Sequence, residues 1–188
     1  MKISCVQMDM RLGDVEYNFA HAQDLVRLAV DRDGPDVVVL PETWNTGFFP
    51  KDLNPCADRD GERTKLVFSS LARELDVNIV CGSVANRKGD GYYNTAYVFD
   101  RTGAVVAEYD KTHLFTPSGE HPSFRPASSP CRSPLEGRTC GLIICYGIRF
   151  PDLIRNFPLG REYPLYTVAL PLAWCSTPLA PLSPPLPR

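Results

Sequence analysis

An α/β fold built on a mixed β-sheet is what this 188-residue sequence predicts, and three observations carry the prediction. Two stretches with helical apolar spacing alternate with short apolar runs through the first half of the chain. Two β-rich segments then flank a tight Arg101-Thr102-Gly103 turn. Further on, an apolar run through Ile144 leads by a short turn into a segment that opens on Pro151, a favoured first residue of a helix.

Taken in order, "KISCVQM" (2–8) alternates and reads as a first strand. In "NFAHAQDLVRLAVDR" (18–32), Phe19, Ala22, Leu25, Val26 and Ala29 recur at helical spacing, and Gly34-Pro35 stops the helix. "DVVVLP" (36–41) is apolar on both faces, as a strand covered from two sides would be. "GERTKLVFSSLARELD" (61–76) gives a second helix and "VNIVCGSV" (77–84) a third strand. "YYNTAYVFD" and "AVVAEYD" form the hairpin about residues 101–103. Residues 116 to 137 read as a loop rich in Pro and Ser, "RTCGLIICY" (138–146) as a strand and "PDLIRNF" (151–157) as a helix. The elements add up to one mixed sheet with helices on one or both faces.

The tail departs from this pattern. Residues 158–188 hold eight prolines against three charged residues, and "PLAPLSPPLPR" can continue neither a helix nor a central strand. The division expected is a folded unit over 1–157 and an aberrant Pro-rich tail over 158–188. The tail reads either as a flexible extension of the kind SH3-type domains bind, or as the product of a shifted frame or an artificial end near residue 157.

Composition narrows the function. A net charge of -2 with scattered Lys and Arg leaves no basic footprint for nucleic acid or an anionic membrane. "MKISCVQMDM" holds no apolar segment of signal-peptide length, and no stretch approaches the roughly 20 apolar residues of a membrane span. A soluble, cytoplasmic protein acting on a small molecule is expected. The seven cysteines make no CxxC pair and no zinc spacing, so most are expected as free, buried thiols.

Cys145 is the exception to weigh. It ends the strand in "GLIICYGIRFPDL" (141–153), just where a turn leads into a helix, the place where α/β folds put nucleophiles. Taken alone it is equally a small core hydrophobe. Glu42, at the end of "VVVLPE", either caps a loop in solvent or projects into a cleft. Lys111 in "YDKTHLF" either reaches solvent, with Asp110 as its ion-pair partner, or turns inward. Gly119-Glu120 reads singly as a turn with an exposed acid. His113 offers a base for a papain-like Cys-His pair, although no Asp or Asn is evidently placed to orient it.

Jointly, "LPETWNTGF", "YDKTHLF" followed by "GE", and "GLIICYGIRFPDL" resemble the three catalytic blocks of the nitrilase, or carbon–nitrogen hydrolase, superfamily, in the same order and at matching separations. The resemblance runs from Met1 to about Phe157, and the wording is most similar to the omega-amidase-like branch. It implies an αββα sandwich whose C-terminal part is incomplete here. It also implies hydrolysis of a small carboxylic acid amide, with no metal or organic cofactor, by an enzyme that stacks its helical layers into dimers. By resemblance Cys145 is the nucleophile, Glu42 the general base, Lys111 the oxyanion donor, and Glu120 the second glutamate that positions the others. Gly147 stands where the family has an acidic residue. That departure and the tail leave a second reading beside the amidase, a non-catalytic relative serving as a binding or regulatory subunit.

Overall fold

The computed structural model describes residues 1–48, 50–116, 120–127, 131–155 and 165–169, with 121–122, 154–155 and 165–169 described through the backbone alone. In chain order the elements are β1 (Ile3–Cys5), α1 (Val15–Asp33), β2 (Val37–Val39), β3 (Asp58–Arg59), α2 (Glu62–Leu75), β4 (Asn78–Val80), β5 (Val84–Lys88), β6 (Gly91–Phe99) and β7 (Val105–Asp110). They continue with α3 (Glu120–Ser123), β8 (Cys131–Leu135), β9 (Arg138–Ile144), α4 (Pro151–Arg155) and β10 (Leu165–Ala169).

The helices start where local chemistry satisfies their first N–H groups. Asp14 caps α1 by accepting from the Tyr17 N–H at 3.1 Å. The Asp58 carboxylate accepts from the N–H groups of Arg63 and Thr64 and from the Thr64 hydroxyl, which fixes the first turn of α2. Their apolar stripes meet: Phe19 of α1 and Phe68 of α2 close on the buried Trp44 ring at 4.7 Å and 5.2 Å, both edge-on. Each such pair adds about 0.5–1.5 kcal/mol beyond burial of its area.

Seven strands form the larger sheet, in the order β1-β2-β4-β6-β5-β3, with β7 on the far edge of β6. β1, β2 and β4 run parallel, and β6 pairs antiparallel with β4, β5 and β7. β10, β9 and β8 make a separate three-stranded sheet. Strand alternation assigns the two faces. Val38, Ile79, Tyr97 and Phe99 pack under α1 and α2. Val37, Val39, Val80, Ala96 and Val98 turn the other way and pack against Leu135, Cys140, Leu142 and Ile144 of the small sheet. The result is a helix–sheet–sheet stack, and β2 is apolar at every position because both of its faces are covered.

Several sequence expectations are corrected. The strand pattern alone suggested one sheet, but there are two, as the αββα resemblance implies: β8 hydrogen-bonds to β9 and packs face-on against the large sheet instead of extending it. The strand expected over 77–84 breaks at Gly82 into β4 and β5. Gly82 has a φ of 52°, and a Cβ there would lie 1.9 Å from the Pro41 carbonyl oxygen, so the chain can turn only without a side chain. The loop expected over 116–137 contains α3 and β8. Pro134 misled that reading, but β8 is an edge strand, where a missing N–H is tolerated. Within the stretch read as tail, residues 165–169 form β10, parallel to β9. "PLAPLSPPLPR" lies outside the described residues.

Candidate active site

Glu42 follows β2 in a loop that is pinned to the β4–β5 connection. Leu40 N–H donates to the Val80 carbonyl, Ser83 N–H to the Pro41 carbonyl and Trp44 N–H to the Ser83 carbonyl. Trp44 Nε1 donates to the Cys81 carbonyl at 2.9 Å, and Asn45 exchanges two bonds with the backbone of Ala85. Thr43, with a φ of 46°, turns the chain immediately after Glu42. This loop can therefore hold a carboxylate at a fixed place inside the protein.

Lys111 leaves the end of β7, its N–H donating to the Asn94 carbonyl of β6. Its Nζ lies 2.8 Å from Glu42 Oε1, 3.1 Å from Glu120 Oε1 and 2.8 Å from Glu120 Oε2. Asn94 Nδ2 donates to Glu42 Oε1 and to Glu120 Oε1, both at 2.9 Å. The Phe115 N–H donates to Glu120 Oε2 at 2.6 Å. Glu42, Lys111, Asn94 and Glu120 are each no more than 1% exposed.

The two carboxylates are held differently. Both oxygens of Glu120 accept from neighbours. Only Oε1 of Glu42 does; its Oε2 is buried and accepts no hydrogen bond among the described residues, and Asn94 Oδ1 is in the same state. One carboxylate is thus saturated with donors while the other keeps an oxygen free to take a proton.

Cys145 arrives from the small sheet. It follows β9, opens a 3-10 turn over Cys145–Arg149 that leads to α4, and has a φ of 44°, a left-handed conformation unusual for a residue with a side chain. Burial, then the negative charge of Glu42, push its thiol up to about 12, with Lys111 pulling the other way. At neutral pH the thiol keeps its proton and needs a base to lose it. Burial likewise raises the Glu42 carboxyl above its ordinary value, against the opposing pull of Lys111 and the hydrogen bond from Asn94. Burial disfavours the charge on Lys111, but Glu42 and Glu120 more than offset this and hold it above its usual range.

The structure brings together all four residues the sequence singled out, Glu42, Lys111, Glu120 and Cys145, and decides between solvent and interior for the two glutamates and the lysine. Glu42 and Glu120 are not solvent caps, and Lys111 does not reach solvent. Asp110 is not its partner: that carboxylate pairs with Lys88 and accepts from the Thr95 hydroxyl. His113 stacks on Phe150 with ring centroids 3.7 Å apart, and its Nδ1 lies 3.1 Å from Thr112 Oγ1, an arrangement that gives the papain-like pairing no support. Gly119 and the His121 side chain lie outside the described residues. Gly147 is buried, and a Cβ there would come within 2.9 Å of Ile143 Cγ2. Asn94 escaped sequence reasoning. Its one signal is an amide placed among the aromatic and apolar residues of "YYNTAYVF", where strand propensity disfavours it. Among the described residues no cluster of three or more His, Cys, Asp or Glu is arranged to hold a metal, and no helix is long and apolar enough to cross a membrane.

Comparison with known proteins finds relatives along most of the chain. A 2-oxoglutaramate amidase of Bacillus subtilis is 38% identical over 154 residues, covering 82% of this chain and 59% of the relative. An omega-amidase of Danio rerio is 36% identical over 153 residues, 74% of this chain and 53% of that protein. A CN-hydrolase superfamily protein of Xanthomonas campestris, crystallised with an arsenic adduct in its active site, superposes with a TM-score of 0.78 at 27% identity, over 93% of this chain and 66% of that one. The chain thus spans somewhat over half the length of these two curated relatives. The carbon-nitrogen hydrolase family model matches residues 2–171, nearly the whole chain. By that match, and with such relatives, the chain belongs to the carbon-nitrogen hydrolase family of the nitrilase superfamily.

Proposed function

We propose that this chain hydrolyses the amide C–N bond of a small carboxylic acid amide and releases ammonia, in the manner of an omega-amidase. The observation that carries the reading is the unequal holding of the two glutamates beside Cys145: Glu120 saturated, Glu42 with Oε2 free.

In this reading Glu42 takes the thiol proton as Cys145 Sγ attacks the amide carbon. Lys111 and the N–H of Tyr146, the residue after the nucleophile, stabilise the oxyanion; losing one such donor typically costs about 10²–10³ in rate. Collapse breaks the C–N bond, and Glu42 passes its proton to the departing ammonia, leaving a thioester on Cys145. Glu42 then takes a proton from water, the water oxygen attacks the thioester, and the acid departs as Cys145 recovers its proton. Glu120 holds Lys111 and the base in place.

The reading extends to a cytoplasmic enzyme of free small amides, with the hydrolase unit over 1–157 completed by β10 from the segment that follows it. Likeness to the 2-oxoglutaramate amidase supports the substrate class. The test is ammonia release from 2-oxoglutaramate and short amides by the 188-residue chain, with Cys145→Ala alongside. Release that vanishes in the variant supports the proposal. Silence from wild type that unfolds cooperatively supports the second reading, a non-catalytic binding or regulatory subunit. Gly147, standing where the resemblance expects an acidic residue, favours that second reading.

A further inference from the structure

We propose that Asn94 is a positioning residue for the base: its amide ties the two glutamates together so that Glu42 presents Oε2, rather than Oε1, to the nucleophile. The inference rests on the amidase reading above. Asn94 sits on β6, between the Glu42 loop and the Lys111 segment. Its two N–H bonds go to equivalent oxygens of different carboxylates, Glu42 Oε1 and Glu120 Oε1, each 2.9 Å away. The assignment of nitrogen and oxygen is fixed by these partners, since a flipped amide would set its oxygen against two carboxylate oxygens.

Lys111 alone does not give this result. Its ammonium also reaches Glu42 Oε1 and both oxygens of Glu120, but on a four-carbon stem with a rotatable head it sets no plane for either carboxylate. The planar Asn94 amide, carried by a strand, fixes both oxygens at once. The groups facing Glu42 are then Lys111 from the end of β7, Glu120 from α3, Asn94 from β6 and Cys145 from the turn after β9. Without the amide, Glu42 can rotate, and either oxygen can fall toward Lys111.

The experiment uses the 188-residue chain with Asn94→Ala, Asn94→Asp and Asn94→Ser. Two quantities are read from pH 5 to 9: kcat and KM for ammonia release from 2-oxoglutaramate, and the rate of Cys145 alkylation by iodoacetamide, mapped by peptide mass. The second reports the same Glu42–Cys145 pair and needs no turnover. In Asn94→Ala, kcat falls about 10–10²-fold with KM within about twofold, and the acid limb of both profiles moves up by about one pH unit. Asn94→Asp moves the limb further, and Asn94→Ser, which keeps a hydroxyl donor, recovers part of the loss. A folded Asn94→Ala protein with unmoved limbs overturns the proposal, whether or not kcat drops. If Asn94→Ala does not fold, Asn94→Ser is judged by the same criterion. Should the wild type release no ammonia, the amidase reading fails, and the alkylation limb alone decides the role of Asn94: a shift upholds it and no shift overturns it.

Discussion

Lys111 Nζ lies 2.8 Å from Glu42 Oε1, a pair formed across 69 positions of sequence with both side chains sealed from solvent. An ammonium so buried is tolerable only because two carboxylates surround it, and the carboxylates are tolerable only because of it. Lys111→Met keeps an unbranched side chain, one heavy atom shorter, and removes the charge. It is expected to cost about 3–5 kcal/mol of unfolding free energy in urea, the penalty for leaving buried charges unpaired. Adding Glu42→Gln to that variant should return part of the loss. Because the folded protein holds the Lys111 pKa above 10.5, its contribution is complete below that pH and is lost as pH climbs past the folded value.

Glu42→Gln separates two properties that usually move together. The Glu42 charge is the second cause, after burial, of the high Cys145 pKa of about 12. Neutralising it should lower that pKa, so alkylation of Cys145 above pH 9 becomes faster. Ammonia release at neutral pH should meanwhile fall by about 10²–10⁴, the usual cost of losing a general base. Parallel changes in both rates would mean that Glu42 only shapes the thiol's surroundings. In the wild type, release should fade on the acid side as pH drops through the raised Glu42 value, which lies above 4.5.

Gly82→Ala tests the clamp beneath the base. An added Cβ would fall 1.9 Å from the Pro41 carbonyl oxygen and 2.5 Å from that of Leu40, at a φ of 52°. Left-handed strain of about 1–2 kcal/mol adds to overpacking of about 1–3 kcal/mol. The backbone two residues before Glu42 must move, so activity should drop by about 10²-fold even in molecules that stay folded. Urea unfolding together with ammonia release measures both effects.

Gly147→Ala should be milder. Its Cβ would press on Ile143 Cγ2 at 2.9 Å and meet Leu153 Cδ2 at an ordinary 3.6 Å. A loss of about 1 kcal/mol is expected, at the low end for overpacking against a side chain. An unchanged Tm would show that Ile143 swings aside freely.

Much of this was legible in the amino-acid order, and the illegible parts share a cause. Glu42, Lys111, Glu120 and Cys145 each fit an ordinary role when read singly; their joint resemblance to one family's catalytic blocks made them stand out. The helices α1 and α2 were visible because their apolar stripes are local. Which acid meets Lys111 was not visible from the residues alone, since adjacency suggested Asp110; the family resemblance pointed to Glu42, and folding brings it in from 69 positions away. Asn94 was hidden because its partners lie 52 and 26 residues off, on other elements. β5 was merged with β4 because the break at Gly82 depends on the close approach of a distant carbonyl. β8 was lost to its proline, since only the assembled sheet shows that it is an edge. The split into two sheets, which the family resemblance implied, was hidden from the strand pattern because it depends on which strands hydrogen-bond and which merely stack.

That stacking has a consequence for how the protein can be tuned. Glu42, Asn94 and Lys111 are carried by the large sheet and Cys145 by the small one, so the layer of Val37, Val39, Ala96 and Val98 against Leu142 and Ile144 acts as a spacer that sets the gap between the Glu42 carboxylate and the Cys145 sulfur. Sheet faces pack at about 10 Å because of the side chains between them. Thinning or thickening that apolar layer by a methylene changes this gap without touching either group, and the core of this protein is a gauge block for the site.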